Sequence, residues 1–455
     1  MKPSNVAIIG ASAKPGKIGN ILVRNISKSR AKVFPINPHE SEIEGLRCYA
    51  SISDITDQID LAIIALPSEM TPEEVRKAAD SGVKCTIISS AGFSEMGDAG
   101  RRVEENMVSY SRAKGMRILG PNTLGVFSPI SKIDTMLISS ERSPRPKRGK
   151  LGMISQSGSV QVSLLEKAEA IGIGVSYSIG LGNRSDISEI DLLEFLSHDI
   201  DTECITVYLE SFYDGRRLLE LAKKISPQKP IVAIKSGRTE SGTRAASSHT
   251  GAIGKGSDAL VDGAFKQAGI IRACDDEELL DFANVLMLMP ASRGGRIAYV
   301  GSAGGIGVMA ADSIESATGN PKLRMAILSD ATKQKLRMSL ESFAPINNPV
   351  DLTASSTPNQ YDDAVRAVIE DPGVDLLILS MDMQPPIMSK EVFGFVPAWI
   401  RMGKPIIGTS TGGALAIKTI NKLQELGIPS YASLSRCIKA VSTLCDRGAF
   451  LRKFS

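Results

Sequence analysis

Short apolar runs rich in Val, Ile and Leu alternate with segments of helical periodicity along most of the chain. Within the first 125 residues these runs are VAIIG, VFPIN, LAIIALP, CTIISS and RILGPN. Such runs between helical segments are typical of strands that helices cover on both faces of a parallel sheet. The pattern therefore predicts a doubly wound α/β fold.

Two breaks in this alternation divide the chain. The first is the polar segment SERSPRPKRG, after which strand-like runs resume with KLGMIS, VSYSIG, CITVYLE and PIVAIK. The second is MPASRGG, which is followed by RIAYVGSAGG, LLILSMD and PIIGTSTGG. At roughly 150 residues per domain, a chain of 455 residues also corresponds to about three domains. We expect doubly wound domains over residues 1–130, 149–290 and 291–455, with a linker over 131–148.

Composition narrows the classes of function. The 53 Lys and Arg residues nearly balance the 50 Asp and Glu residues, so no strong field concentrates nucleic acid. The six cysteines are scattered without a C-x-x-C pair, which indicates reduced thiols. No apolar stretch reaches the roughly 18 residues of a membrane span, and the first apolar run is too short for a signal peptide. We expect a cytoplasmic protein that binds neither nucleic acid nor membrane.

The loop after the first strand, GASAKPGKIG, is small and glycine-rich. Backbone N–H groups in such a loop can approach a phosphate at the start of the next helix. The spacing is not G-x-G-x-x-G, and the second strand ends in Asn37 where NAD enzymes usually carry an acid. A dehydrogenase is therefore disfavoured, and glycines that only turn the chain are the alternative to a nucleotide-type ligand.

A wider match supports the ligand interpretation. The segments VAIIGASAKPGKIGNILVRN, FPINPHESEIEGLRCYASI, DLAIIALPSE, IISSAGFSE and LGPNTLG resemble the CoA-binding domain of the NDP-forming acyl-CoA synthetases. This superfamily includes the succinyl-CoA synthetase α subunit. The resemblance implies a Rossmann-like domain that binds CoA or acetyl-CoA. The implied contacts lie in the glycine-rich loop, at the ends of the second and third strands and on the same rim: Gly10, Ala11, Ser12, Pro15, Lys17, Asn37, Ala65, Pro67 and Asn122.

In the second domain the strand LGMI runs through SQSGS directly into a helix, VQVSLLEKAEAIG. A helix start with hydroxyl residues and a glycine offers unpaired N–H groups and the positive end of the helix dipole to an anion. A serine N-cap without a ligand is the alternative. A hydrolase nucleophile elbow at Ser157 is disfavoured because Ser155 replaces the first glycine of that motif.

The three histidines differ in their surroundings. His39 lies in a polar loop that we expect to be solvated, and His198 ends a helical pattern, where histidine is common. His249 lies about fourteen residues beyond PIVAIK, in a long segment of small and polar residues. Glu210 is the last residue of CITVYLE, at the same expected sheet edge as SQSGS. A carboxylate that orients a nucleophilic imidazole beside an anion site is typical of a phosphohistidine enzyme.

The segment SGRTESGTRAASSHTGAIGKGS is similar to the phosphohistidine segment of ADP-forming acyl-CoA synthetases, and LGMISQSG, GLGNRSDISEIDLLE and YLES are similar to its flanking motifs. The resemblance implies that His249 carries the phosphoryl group and that Glu210 orients it. The implied phosphate-binding residues are Ser155, Gln156, Ser157, Gly158 and Ser159. Asn183 and Asp186 belong to a matched motif but receive no role.

The third domain, with RIAYVGSAGGIGVMAADSIE and NNPVDLTASSTPNQY, resembles the additional domain of the same synthetases. The resemblance then covers nearly the whole chain and implies two flavodoxin-like domains after the Rossmann-like one. For Gly304 and Gly305 we favour a packing or interface role, and for Asp351 a structural turn.

The chain contains no P-loop and no metal site is expected on it. The resemblance implies a separate ATP-grasp β subunit that holds ADP or ATP with Mg²⁺, in an α2β2 heterotetramer.

The implied reaction converts acyl-CoA, ADP and phosphate into a carboxylic acid, CoA and ATP, through an acyl phosphate and phosphohistidine at His249. The matched three-domain length favours acetate or a related small acid. A ligase for succinate or another acid is one alternative, and a non-catalytic CoA-binding regulator is another. The intact His249 motif argues against the regulator.

Overall fold

The computed structural model describes residues 2–244, 258–319 and 321–454. The chain divides into two compact units, Met1–Asp276 and Glu277–Ser455. The first unit contains two largely parallel sheets and the second unit contains one. Helices follow most of the strands, so the predicted three-domain α/β fold is confirmed.

The first sheet has five parallel strands in the order β2-β1-β5-β6-β7. Alternate residues of β1 enter different cores: Val6 and Ile8 pack on one face, and Ala7 and Ile9 on the other. This two-sided burial explains the continuous apolar run in the sequence. The elements are β1 (Asn5–Ile9), α1 (Ile18–Ile26), β2 (Lys32–Ile36), the hairpin β3 (Glu42–Ile43) and β4 (Leu46–Arg47), β5 (Leu61–Ile64), α2 (Thr71–Asp80), β6 (Cys85–Ile88), α3 (Asp98–Ala113) and β7 (Arg117–Leu119).

The second sheet has seven strands in the order β14-β13-β12-β10-β11-β8-β9. Its strands are β8 (Val126–Ser128), β9 (Ile133–Asp134), β10 (Arg148–Ser155), β11 (Val175–Gly180), β12 (Cys204–Leu209), β13 (Ile231–Lys235) and β14 (Ile270–Arg272). Its helices are α4 (Gly158–Ala170), α5 (Glu189–His198), α6 (Gly215–Ile225) and α7 (Asp258–Ala268). Strand β8 pairs antiparallel with β11, and β9 extends this edge. The segment expected as a linker, 131–148, thus contains one strand of this sheet.

Asp186 joins the first two sheets. Its fully buried carboxylate accepts hydrogen bonds from the Ile118 backbone N–H at 2.7 Å, Arg112 Nε at 2.7 Å and Arg117 Nε at 2.9 Å. Asn183, in the same loop, donates to Glu95 Oε2 at 2.6 Å. The matched motif around these two residues therefore has a structural use: it fixes the second sheet against the end of the first.

The third sheet runs in the order β16-β15-β18-β19-β20, with β17 beside β15. Its strands are β15 (Arg296–Gly301), β16 (Arg324–Met325), β17 (Val350–Asp351), β18 (Leu376–Ser380), β19 (Ile406–Thr409) and β20 (Ser430–Tyr431). Its helices are α8 (Asp276–Leu288), α9 (Gly304–Ser316), α10 (Asp330–Ser339), α11 (Pro358–Glu370), α12 (Val396–Arg401), α13 (Ala414–Glu425) and α14 (Leu434–Leu451). Trp399 is fully buried in this core. Among the described residues, no helix combines the length and apolar character needed to cross a membrane.

Candidate functional site

Three neighbouring strands of the second sheet end side by side. In the parallel register Ser155 lies opposite Tyr208, and Leu209 lies opposite Lys235. The residues that follow, 155–159, 208–213 and 235–239, form what we call the second-sheet edge. Carboxyl ends of parallel strands are where α/β proteins place their ligands, because loops and helix N-termini converge there.

Helix α4 starts at this edge without a side-chain cap. Its N-cap residue, Ser157, has extended backbone geometry and makes no capping hydrogen bond, and its first turn contains no acidic residue. Ser155 Oγ instead donates to the Ser157 carbonyl at 2.7 Å, and the Ser157 and Ser159 hydroxyls lie 3.1 Å apart. First-turn N–H groups and two hydroxyls are therefore presented together, which suits an anion.

Gly158 has a packing reason of its own. A Cβ atom at this position would lie 2.7 Å from Leu124 Cγ, closer than real contacts allow. Among the five predicted phosphate-binding residues, Gly158 thus has a packing role, because it lets the start of α4 lie against Leu124. The serines provide the polar groups.

The Gln156 side chain fixes the backbone at Glu210. Its Oε1 accepts hydrogen bonds from the Glu210 N–H at 2.9 Å and the Ser211 N–H at 3.3 Å, and its own N–H donates to the Tyr208 carbonyl. Glu210 is 9% exposed. Burial, together with the nearby Glu210 carboxylate, raises the pKa of the Tyr208 phenol. The predicted pairing of SQSGS with Glu210 is thus present as a direct hydrogen-bonded contact.

Arg184 and Glu189 support the loop after Glu210 from behind. Arg184 Nη1 lies 3.1 Å from Glu189 Oε2 and donates to the Ser211 carbonyl at 2.9 Å. Glu189 Oε1 accepts from the Tyr213 N–H at 2.8 Å. The sequence analysis gave these two residues no role, although both lie in the motif GLGNRSDISEIDLLE.

A groove of about 540 Å³ opens along the second-sheet edge. Ser159, Tyr208, Lys235 and Arg238 are among its lining residues. Burial, and then the positive charge of Arg272, lower the pKa of the Lys235 ammonium. Lys235 was not among the predicted site residues, although the sequence carries a signal for it: a cation at the end of an otherwise apolar strand.

His249 lies outside the described residues, but the chain on both sides of it is anchored at this edge. Residues 235–239 line the groove on one side. On the other side Asp258, the first residue of α7, pairs with Arg272 at the end of β14 and lies 3.5 Å from Arg238. The other two histidines are elsewhere: His39 is exposed, and His198 Nδ1 bonds the Glu194 carbonyl at 2.8 Å at the end of α5.

The carboxyl edge of the first sheet is built by glycines. Gly10 has a φ of +92°, and a Cβ there would lie 2.5 Å from the Ala65 carbonyl oxygen. A Cβ at Gly19 would lie 2.1 Å from the Gly10 carbonyl oxygen, so only glycine lets α1 approach this turn. Lys17 is the N-cap residue of α1 and its side chain makes no capping bond. The exposed stretch around it fits the phosphates of a nucleotide-type ligand.

The other predicted CoA residues fall into four groups. Pro15, Pro67 and Asn122 are exposed on the rim, and Ser12 and Ala65 are partly buried. Ala11 is buried. Asn37 turns inward, where its Nδ2 donates to the Ala11 carbonyl at 2.8 Å. The predicted loops thus lie at one edge of the first sheet. The Asn37 side chain holds the glycine-rich loop through its hydrogen bond to the Ala11 carbonyl.

Family models match the three parts of the chain. They describe a CoA binding domain over residues 4–129, a succinyl-CoA ligase like flavodoxin domain over 148–286 and a Ligase-CoA domain over 297–452. These matches agree with the expected Rossmann-like and flavodoxin-like parts.

Relatives match almost the full length. Subunit alpha of acetate–CoA ligase [ADP-forming] I from Pyrococcus furiosus is 36% identical, with 97% of this chain and 96% of the relative covered. The acetate–CoA ligase [ADP-forming] of Methanocaldococcus jannaschii is also 36% identical over 97% of this chain, which spans 62% of that protein. Among solved structures, acetyl-coenzyme A synthetase 1 of Ca. Korarchaeum cryptofilum, in complex with phosphate and ADP, has a TM-score of 0.91 at 31% identity, covering 100% of this chain and 97% of that one. The chain therefore belongs to the family of ADP-forming acetate–CoA ligase α subunits.

Proposed function

We propose that this chain is the CoA-binding, phosphohistidine-carrying subunit of an enzyme that converts acetyl-CoA, ADP and phosphate into acetate, CoA and ATP. The observation that carries the proposal is the second-sheet edge. It combines an uncapped helix start, the buried Glu210 beside it and the two anchored flanks of the segment that contains His249. Phosphate and ADP in the complex from Ca. Korarchaeum cryptofilum support the same substrates.

The reaction proceeds in three transfers. A phosphate oxygen attacks the thioester carbonyl, the C–S bond breaks, and CoA leaves with acetyl phosphate formed. A neutral imidazole nitrogen of His249 then attacks phosphorus, and the bond between phosphorus and the carboxylate oxygen breaks to release acetate. Finally, a β-phosphate oxygen of ADP takes the phosphoryl group from His249.

The residues of the second-sheet edge have different roles in these transfers. The N–H groups of α4 and the hydroxyls of Ser157 and Ser159 hold the phosphate oxygens, and the positive end of the helix favours their charge. Ser155 holds the Ser157 carbonyl and so shapes this turn. Glu210 accepts a hydrogen bond from the other imidazole nitrogen, which fixes the tautomer and offsets positive charge on the ring. Gln156 keeps Glu210 in place.

CoA belongs to the carboxyl edge of the first sheet. Its phosphates pair with the start of α1 and with Lys17, and the turn at Gly10 leaves the backbone close enough to contact them. Pro67 and Asn122 form the rim on either side. We propose the domain limits 1–130, 149–290 and 291–455, with β9 of the second sheet in the connecting segment 131–148. Two elements cross these limits, since β8 pairs within the second sheet and Val285 of α8 packs in the third-sheet core.

ADP and Mg²⁺ are assigned to an ATP-grasp β subunit in an α2β2 assembly, and the complex to the cytoplasm. The name subunit alpha of the Pyrococcus furiosus relatives supports a separate partner. When bound, Mg²⁺ would neutralise phosphate charge during the transfer to ADP. A succinate-specific ligase and a CoA-binding regulator are the two rival functions.

The test uses the purified chain alone and the chain co-purified with its β subunit. We expect the chain alone to bind CoA by calorimetry and to make no ATP. The complex should form ATP from acetyl-CoA, ADP and phosphate. ATP synthesis by the single chain contradicts the assignment of the nucleotide site, and CoA binding without ATP formation by the complex supports the regulator. A preference for succinyl-CoA over acetyl-CoA supports the first rival.

A further inference from the structure

Lys235 occupies a position at the second-sheet edge that the proposed mechanism does not use. It is the last residue of β13 and lies opposite Leu209, the residue before Glu210. Its side chain is half-buried, and its Nζ lies 5.7 Å from the centre of the Phe212 ring. The ammonium thus lies near the Phe212 ring, and Lys235 lines the groove that Ser159 and Tyr208 also line.

The hydrogen bonds of this ammonium are incomplete. An ammonium has three N–H donors, and Lys235 Nζ donates to the Ser236 carbonyl at 2.5 Å. In the described part of the chain this is its only hydrogen bond, and no carboxylate pairs with it within 4.0 Å. Asp258 and Glu210 attract it only from a longer distance.

Two other cations near the groove are already paired with carboxylates. Arg238 lies 3.5 Å from Asp258, and Lys167 lies 2.6 Å from Asp276. Burial, and next the charge of Arg272, lower the pKa of the Lys235 ammonium, as expected for a cation whose charge is only partly compensated. An anion that enters between this ammonium and the start of α4 would supply the missing charge and accept the remaining donors.

We propose that Lys235 binds the phosphate group handled at this edge, with its ammonium contacting oxygens of inorganic phosphate and of the phosphoryl group in transfer. This inference rests on the proposed function, since it assigns a further residue to the same site. Strand β13 brings the ammonium to the groove from the side opposite the serines of α4, so the phosphate is held between a fixed positive charge and the helix N–H groups.

The experiment compares three variants of the complex with its β subunit. Lys235→Met keeps a long, unbranched side chain and removes the charge, and Lys235→Arg keeps the charge. Lys224→Met removes a charge from an exposed site on α6 and is the matched control. Loss of one charge-assisted contact should raise the KM for phosphate about 10- to 100-fold in Lys235→Met. The KM values for acetyl-CoA and ADP should change less than about twofold.

Lys235→Arg should restore part of the phosphate affinity, and Lys224→Met should behave as wild type. A purely structural role for Lys235 predicts a different result, in which Lys235→Met lowers the melting temperature or raises all three KM values together. That result, or an unchanged phosphate KM in a folded variant, overturns the inference while the proposed function stands.

A second readout does not depend on turnover. Phosphate should slow the modification of Lys235 by trinitrobenzenesulfonate in the wild-type complex, as measured by peptide mass spectrometry, and should leave the modification of Lys224 unchanged. Equal rates with and without phosphate contradict the contact. If the complex makes no ATP at all, the proposed function fails, and this measurement still decides whether Lys235 meets an anion.

Discussion

The second and third sheets end in similar ways, yet the two edges differ in charge. Each has a buried carboxylate just beyond a central strand, Glu210 after β12 and Asp382 after β18. Each also has a strand that turns sharply into a helix, β10 into α4 and β15 into α9. We call residues 301–305, 351–353, 380–384 and 409–413 the third-sheet edge.

Acidic groups dominate the third-sheet edge. A Cβ at Gly304, the first residue of α9, would lie 2.5 Å from Asp351 Oδ2, so a carboxylate stands at this helix start. Asp382 accepts long hydrogen bonds from Ser380, Ser410 and the Thr411 N–H, at 3.3 to 3.5 Å. None of the four segments contains Lys or Arg. Neither α4 nor α9 has an acidic residue in its own first turn, and the second-sheet edge differs by the half-buried cation Lys235.

The difference shows what a phosphate site needs beyond topology. Parallel strands and a glycine-containing turn recur in both sheets, because both follow from the same alternation of strands and helices. The charged side chains near the helix starts, Asp351 in the third sheet and Lys235 in the second, do not follow from that alternation. Function therefore follows from a few side chains placed on a repeated frame.

Replacing Glu210 with Gln should have the largest effect. The amide keeps the size and a hydrogen bond but no longer offsets charge on the imidazole, so we expect phosphorylation by ATP to slow roughly 100-fold in single-turnover experiments. Asp382→Asn is the matched change at the third-sheet edge and should alter this rate less than about twofold. Similar losses in both variants would remove the distinction between the two edges.

Placing a carboxylate at the start of α4 should make the second edge resemble the third. In Ser157→Asp the new charge repels phosphate, and the loss of a helix-end interaction of up to about 2 kcal/mol corresponds to roughly 30-fold in the phosphate KM. Ser157→Asn has nearly the same shape without the charge and should stay near wild type. Melting temperature measured alongside should be unchanged or higher for Ser157→Asp, because aspartate is a good N-cap. An equal effect of both variants would indicate that shape, not charge, matters here.

A smaller effect is expected at the first sheet, whose edge should serve a different substrate. Lys17→Met should weaken CoA binding by about 3- to 10-fold, as expected for an exposed charge contact, and should leave the phosphate KM unchanged. Lys84→Met, exposed just before β6 at the opposite edge, is the control. Titration calorimetry with CoA measures both. Unchanged CoA affinity in Lys17→Met would place the phosphates of CoA elsewhere.

The smallest effect concerns stability. Burial raises the pKa of Asp382 above its ordinary value, so ionising it costs stability as the pH rises from the unfolded pKa through the folded one. Asp382→Asn removes this cost, and the melting temperature at pH 7.5 should rise by about 2–4 °C. The gain should shrink as the pH falls towards the ordinary aspartate range, because the raised pKa lets the wild-type carboxyl take up its proton more readily in the folded state. A lower melting temperature at pH 7.5 would show that the hydrogen bonds of the carboxylate outweigh its burial.

Much of this organisation could be read from the sequence because it depends on local pattern. The apolar runs became strands, and SQSGS and Glu210 lie together because neighbouring parallel strands end at one edge. Other features depend on contacts between distant residues. Asp186 meets Arg112 and Ile118 only after folding, and the pairing of β8 with β11 brings chain from before the expected linker into the second sheet.

The direct test of the central claim is phosphorylation of His249. The wild-type complex, incubated with ATP labelled at the γ-phosphate, should acquire acid-labile, base-stable label on this chain, and His249→Ala should acquire none. The variant should fold normally, because a polar residue in a segment of small residues contributes little to packing, and it could still form acetyl phosphate from acetyl-CoA. Loss of both the label and ATP synthesis is the predicted result. Equal labelling of His249→Ala, or normal ATP synthesis by it, would show that another residue carries the phosphoryl group.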